Sequence, residues 1–138
     1  MGLGGLLPFL ATAAATWLAS PRWALYAVET QLWYAATILS FLGAVHWGLA
    51  FAGYGQGGPT WWRLGWGVTP SLIAFAGLLL APGIAAALYI IAFAAAYFVD
   101  MRTVRAGLAP LWYPSLRRPL TAVVLICLTA SLLRLRGL

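Results

Sequence analysis

The sequence predicts an all-α integral membrane protein, a single domain built as a bundle of about five transmembrane helices. Hydrophobic residues make up 64% of the 138 residues and charged residues only 7%, which leaves too few polar side chains to cover a surface in water. Uncharged runs long enough to cross a bilayer core of about 30 Å recur along the chain. These runs lack the alternation of polar and apolar residues that membrane barrel strands show.

Five uncharged runs define the predicted spans. The first run begins without a preceding basic side chain, so we interpret it as a retained span rather than a signal peptide. Ser20 and Pro21 are typical of a helix N-cap followed by proline at the first helical position. The glycine-rich stretch 53–60 is predicted to be a turn. The predicted spans cover about residues 3–19, 32–54, 64–81, 83–99 and 119–133.

The net charge of +6 comes from eight arginines set against Glu29 and Asp100. Because the arginines flank apolar runs, we expect them to contact lipid headgroups and not nucleic acid. If the N-terminus is cytoplasmic, the larger group of arginines also lies inside, which favours this orientation in a bacterial inner membrane. The inner side would then carry Arg63, Arg102, Arg105, Arg117 and Arg118, and the outer side Arg22, Arg134 and Arg136.

Small residues recur at helical spacing along the second predicted span. Small residues three or four positions apart allow helices to approach closely in a membrane, where lipid supplies no hydrophobic drive between them. We therefore predict that this span packs tightly against its neighbours. The predicted helix-packing residues are Ala36, Ser40, Gly43, Ala44 and Gly48.

The predicted topology brings several polar and aromatic residues to one side of the membrane. Spans two and four end on this side, and spans three and five begin there. Ionisable groups at membrane depth are costly and need partners, so we expect Asp100 to pair with an arginine. The candidate ligand-binding residues are His46, Trp47, Arg63, Asp100, Arg102, Trp112, Tyr113 and Arg117.

Three interpretations of these residues remain open at the level of the sequence. Asp100 with Arg63, Arg102 or Arg117 would form a structural salt bridge between helix ends. In the second interpretation the same groups form a pocket for an anion or a polar headgroup. In the third they handle protons. His46 is either a hydrogen-bonded packing residue or a donor to a quinone or lipid.

Familiar catalytic patterns are missing from the sequence. There is no CxxC pair, no histidine pair for a metal, no glycine-rich loop with lysine and no Gly-x-Ser-x-Gly. We therefore predict no catalytic residues and no metal site, and the sequence identifies no cofactor. An enzymatic activity is not expected.

Several sequence blocks resemble the family called domain of unknown function 3429. They are YAATILSFLGAVHWGLA at 34–50, GWGVTPSLIA at 65–74, the pair Asp100 and Arg102, and LWYPSLRRPLT at 111–121. The resemblance implies a compact five-span protein of bacterial and mitochondrial-type membranes, and it implies no particular activity. The matching positions are Ser40, Gly43, His46, Trp47, Gly48, Pro70, Ser71, Asp100, Arg102, Trp112, Tyr113 and Arg117.

The sequence thus favours a small non-enzymatic membrane protein. The leading hypothesis is an accessory or structural subunit that packs against a larger membrane complex or associates with itself, surrounded by membrane lipids. The alternative is a binder of a quinone, lipid or similar amphiphile at a cytoplasmic-side cluster around His46 and Asp100.

Overall fold

A computed structural model describes residues 2–55 and 61–138. Over these residues the fold is helical, with no strand. Residues 56–60, which belong to the predicted turn, lie outside the described residues. The short 3₁₀ helix Gly2–Leu6 leads into α1, and the α-helices are α1 (Leu7–Leu18), α2 (Pro21–Phe51), α3 (Trp61–Leu78), α4 (Pro82–Arg105) and α5 (Tyr113–Arg136).

Three helices of the described chain, α2, α4 and α5, are long and apolar enough to cross a membrane. This count corrects the prediction of five such spans. The segment Gly2–Leu18 is apolar but shorter. The α3 helix has sufficient length, but Arg63, Thr69 and Pro70 lower its mean hydropathy. The chain is therefore a helical membrane protein with three helices of clear spanning character.

The last helix is longer than the predicted span 119–133. It begins at Tyr113 and ends at Arg136. Pro114 lies in its first turn, where backbone N–H groups have no acceptor within the helix. Pro119 lies inside the helix, where it removes one backbone hydrogen bond without ending the helix. Two prolines in this region therefore do not delay the start of α5.

The start of α2 follows its capping sequence. Ser20 is the N-cap residue with an extended backbone, and Pro21 occupies the first helical position. Proline suits this position because its φ angle is already helical and its missing N–H would have no partner there. The sequence prediction of a helix start at this pair is confirmed, although the Ser20 side chain makes no capping hydrogen bond.

The five helices form a ring in which each helix packs against the next one in the chain. The α5 helix returns to pack against α1, and α2 also contacts α4. Large side chains from four helices fill the interior, and the most deeply buried are Phe9, Leu39, Tyr89, Phe93 and Leu128. The Tyr89 hydroxyl donates a 2.7 Å hydrogen bond to the backbone oxygen of Ala74, which ties α4 to α3.

Glycine permits the close approach of α2 and α3. A Cβ atom at Gly43 would overlap the backbone oxygen of Gly67, and one at Gly67 would overlap the indole ring of Trp47. The Trp47 Nε1 atom donates a 2.9 Å hydrogen bond to the backbone oxygen of Leu64. The two helices therefore meet backbone to backbone at the level of Gly43.

The predicted packing residues divide between two faces of α2. Ala36 and Gly43 are buried and Ser40 is partly buried, whereas Ala44 and Gly48 are exposed. Apart from its own helix, no atom of the described residues comes within 4 Å of a Cβ built at Gly48. Within the described chain, Ala44 and Gly48 therefore do not form the helix contact that the sequence predicts, because the bundle lies on the opposite face of α2.

Candidate functional site

The carboxylate of Asp100 joins three helices inside the bundle. Its Oδ1 atom lies 2.8 Å from Nε2 of His46, and its Oδ2 atom accepts a 2.7 Å hydrogen bond from Nε of Arg117. The Tyr113 hydroxyl donates a longer, 3.3 Å bond to the same Oδ2. We call His46, Asp100, Tyr113 and Arg117 the Asp100 cluster.

Helical periodicity places each member of the Asp100 cluster. On α4, the buried face that carries Tyr89, Phe93 and Ala96 reaches Asp100 at spacings of four, three and four residues. Residues at such spacings lie on one face of a helix. The core-facing stripe of α4 therefore ends in a carboxylate.

The α5 helix supplies the cationic partner by the same rule. Tyr113, Arg117, Thr121 and Val124 are buried at spacings of four, four and three residues. Their common face packs toward α4 and α1. Arg117 thus enters the interior one turn after the start of α5, at the level where α4 presents Asp100.

Burial makes the electrostatics of the Asp100 cluster strong. The exposed fractions are 1% for Asp100, 2% for His46 and 4% for Arg117. When the carboxylate is ionised it can only accept hydrogen bonds, and Nε2 of His46 is then the donor. The charges of Asp100 and Arg117 compensate each other, and charge-assisted hydrogen bonds of this length are stronger than neutral ones. Removal of either charge would leave the other buried and uncompensated.

Three polar atoms in and beside the cluster have no hydrogen-bond partner among the described residues. They are Nδ1 of His46, Nη2 of Arg117 and Oγ1 of Thr121. Arg117 and Thr121 also line a partly open cavity of about 110 Å³. The remaining lining is largely apolar and includes Phe9, Phe41 and Phe93. The cavity is therefore largely apolar, with two polar residues of α5 in its lining.

Of the three arginines that the sequence predicts as partners of Asp100, Arg117 forms the ion pair. Arg63 is also buried, but its Nη1 atom donates a 2.6 Å hydrogen bond to the backbone oxygen of Tyr54. Gly55, with a positive φ of 101°, lies close to this guanidinium. Arg63 therefore fastens the start of α3 to the segment that follows α2.

Three other candidate residues lie on the outside of the bundle. Trp47 and Trp112 are exposed, and the ring of Trp112 meets that of Tyr113 edge to face at 6.2 Å. Arg102 is exposed, and its guanidinium lies 5.6 Å from the centre of the Phe98 ring. None of the three makes a hydrogen bond to Asp100.

Two residues near the cluster were missed by sequence reasoning. The ring of Trp66 lies edge to face with that of His46 at 6.5 Å, and Thr121 lines the cavity with Arg117. Thr121 was detectable, since it lies four residues after Arg117 and so shares its helix face. Nothing in the local sequence of α3 sets Trp66 apart from the neighbouring tryptophans.

Metal-binding side chains are not gathered at this site. Among residues 2–55 and 61–138, no group of three or more His, Cys, Asp or Glu side chains is close enough to hold a metal ion. The groups that the site offers are a carboxylate, an imidazole, a phenol and a guanidinium. These groups can donate and accept hydrogen bonds and can compensate charge.

Apolar spanning helices closed around a buried carboxylate define the chain as a multi-pass helical membrane protein. The family described as "Protein of unknown function (DUF3429)" matches residues 1–133, and the chain belongs to this family. The resemblance noted in the sequence is thereby confirmed. The chain is similar to transmembrane protein 69 of Xenopus tropicalis, with 34% identity over 137 residues. The match covers 96% of this chain and 52% of the frog protein, so the chain spans about half the length of that relative. No solved structure matches.

Proposed function

We propose that the protein is a non-enzymatic accessory or structural subunit that packs against a larger membrane complex. The observation that carries this proposal is the internal use of the Asp100 carboxylate. Both of its oxygens bind partners inside the bundle. Asp100, the side chain best suited to chemistry, therefore holds helices together instead. The exterior is rich in large apolar side chains such as Trp33, Phe41 and Phe75, which suit contact with lipid or with another membrane protein.

The directions in which the helices run set the topology in this proposal. His46 and Asp100 meet near the C-terminal ends of α2 and α4, and residues near the start of both helices line one common cleft. The two helices therefore run in the same direction. The chain must return between them, and α3 is the helix that lies there. Its 18 residues rise about 27 Å.

The first helical segment supports the same topology. Gly2 lies against the side chain of Leu116 near the start of α5. At the other end of the segment, Nε1 of Trp17 donates a 3.2 Å hydrogen bond to the backbone oxygen of Ala130. Gly2–Leu18 therefore runs along most of α5 in the same direction.

The proposed orientation follows from the arginines. The end of the bundle that carries the Asp100 cluster also carries Arg102, Arg105 and Arg118, and basic residues favour the cytoplasmic side. We place this end, with the N-terminus, in the cytoplasm, and the membrane as a bacterial inner membrane. Reporter fusions after residue 107 and after residue 138 test the orientation, since they should report opposite sides.

Native mass spectrometry of gently extracted membranes tests the accessory role. We expect the chain to appear together with a larger membrane protein at a fixed ratio. A small membrane protein with the same tag and expression level serves as the control for non-specific capture. A monodisperse chain without a protein partner, under conditions that keep known complexes intact, contradicts the proposal.

A second candidate function is the binding of an amphiphile such as a quinone or a lipid. The cavity beside Arg117 favours it, because Arg117 and Thr121, which each have a buried polar atom without a partner among the described residues, lie in its largely apolar lining. Its volume of about 110 Å³ suits a small polar group or one end of a chain.

Thr121→Val tests this second candidate with little change in side-chain shape. If an amphiphile uses the hydroxyl, the variant should retain less co-purified ligand in native mass spectra, with unchanged thermal stability. Thr129→Val, at an exposed position of the same helix, is the matched control. Equal ligand retention in wild type and both variants contradicts amphiphile binding in the cavity.

A further inference from the structure

A basic cleft lies on the outer surface between the end of α4 and the start of α5. Its volume is about 320 Å³. Three arginines line it: Arg102 and Arg105 from α4, and Arg118 from α5. All three side chains are exposed. The cleft is separate from the Asp100 cluster, which faces the interior.

The positive charge of this cleft is not compensated by the protein. The chain has only two acidic side chains. Asp100 is buried with both carboxylate oxygens bound to His46 and Arg117. Glu29 lines a different cleft, beside Leu78 and Pro82. An anion from outside the chain is therefore the natural partner of the three arginines.

Apolar walls surround the three arginines. Tyr97, Phe98, Met101, Val104 and Pro114 complete the lining of the cleft. Exposed Phe98 also borders a second, mostly apolar cleft of about 310 Å³. The guanidinium of Arg102 lies over the Phe98 ring, so the charged and apolar parts of this surface are continuous.

We propose that the basic cleft binds an anionic phospholipid. The phosphate lies among Arg102, Arg105 and Arg118, and the acyl chains run along Phe98 and the apolar cleft beyond it. Arginine suits this role because its planar guanidinium donates two parallel hydrogen bonds to phosphate oxygens. Basic pockets between transmembrane helices recognise anionic headgroups in the same way. The proposal is independent of the accessory role and of the cavity beside Arg117.

Lipid titrations of the purified full-length chain, followed by native mass spectrometry, test the proposal. The probes are phosphatidylglycerol and phosphatidylcholine with identical acyl chains. We expect preferential binding of phosphatidylglycerol to the wild type. The variant R102Q/R118Q should bind it at least about tenfold more weakly, since each basic residue near a membrane surface contributes to the attraction. The matched control is R22Q/R136Q, which removes the same charge from two exposed arginines outside the cleft.

Several outcomes would overturn the proposal. Equal binding of the two lipids, or an equal loss in the two double variants, would show that no specific anionic site exists in the cleft. Displacement of bound phosphatidylglycerol by millimolar inorganic phosphate would identify a site for soluble anions and not for lipid. If R102Q/R118Q does not fold, Arg118→Gln alone is compared with Arg136→Gln by the same titration.

Discussion

Arg117 and Arg118 are neighbours in α5, yet they belong to different chemical environments. Arg117 is buried and binds Asp100 at 2.7 Å, whereas Arg118 is exposed and lines the basic cleft. Successive residues of a helix point about 100° apart, which is enough to separate the interior of this bundle from its surface. The same residue type is therefore a partner in a buried ion pair at one position and a surface cation at the next.

The end of α4 repeats this division with two charges of opposite sign. Asp100 turns inward to the cluster, while Arg102 turns outward to the basic cleft. Asp100 and Arg117 compensate each other inside, and Arg102, Arg105 and Arg118 remain uncompensated outside. The inner charges are therefore bound within the bundle, whereas the outer charges are available to the surroundings.

The largest expected effect is that of Asp100→Asn. The substitution keeps the side-chain shape but leaves the charge of Arg117 buried without compensation. Breaking a buried pair in this way costs about 3 to 5 kcal/mol. We expect a corresponding loss in the free energy of unfolding, measured by denaturation in detergent micelles. The outer counterpart, Arg118→Gln, should leave that free energy unchanged. If Asp100→Asn is as stable as Arg118→Gln, the inner cluster does not stabilise the fold.

His46→Phe should have the second largest effect. The substitution leaves Oδ1 of Asp100 without its donor, and a hydrogen bond to a charged group contributes about 1.5 to 3 kcal/mol. The loss in the free energy of unfolding should fall in this range, and it should shrink when Asp100→Asn is already present. Full additivity of the two substitutions would argue that His46 stabilises the bundle through packing alone.

Gly43 and Gly48 form a second pair of inner and outer positions, on α2. A Cβ at Gly43 meets the Gly67 backbone, whereas one at Gly48 meets no other part of the described chain within 4 Å. Gly43→Ala should force α2 and α3 apart and reduce the free energy of unfolding by about 1 to 2 kcal/mol, as expected for an overpacked site. Gly48→Ala should cause no loss. The thermal unfolding of both variants in the same detergent tests this, and equal midpoints would contradict the close contact of the two helices.

The smallest expected effect concerns the basic cleft. Arg102→Gln should unfold like the wild type in lipid-free micelles, because the side chain is exposed. Added phosphatidylglycerol should stabilise the wild type more than the variant, since a ligand that binds only the folded state raises stability by mass action. Thermal unfolding with and without the lipid measures the difference. Equal stabilisation of both proteins would place the lipid elsewhere.

The sequence predicts the class of this fold and the end of the bundle where its ionisable groups meet. Composition indicates a helical membrane protein, and the order of the apolar runs brings His46, Asp100 and Arg117 together. The sequence could not identify Arg117 rather than Arg63 as the partner of Asp100, because the pairing depends on which side chain reaches Asp100 after the helices have packed. Arg63 instead closes onto the backbone of Tyr54, a contact that charge and spacing do not reveal.

Helix faces and boundaries were harder to predict. Ala44 and Gly48 have the spacing of a packing pair, but small residues do not indicate which face of a helix meets the bundle. The α5 helix begins at Tyr113 because it tolerates Pro114 in its first turn and Pro119 in its interior. The expectation that two close prolines prevent a regular helix does not hold at these positions. The predicted five spans exceed the three that length and hydropathy support, since charge-free length is a weaker criterion than mean hydropathy.

A double-mutant cycle between Asp100 and Arg117 tests most directly whether the buried pair holds the bundle together. It compares the free energies of unfolding of the wild type, Asp100→Asn, Arg117→Gln and the double variant in one detergent. We expect the loss in the double variant to be smaller than the sum of the two single losses by about 2 kcal/mol or more. The reason is that each single variant leaves a buried group unpaired. Additivity within about 0.5 kcal/mol would contradict a stabilising pair and the structural role proposed for it.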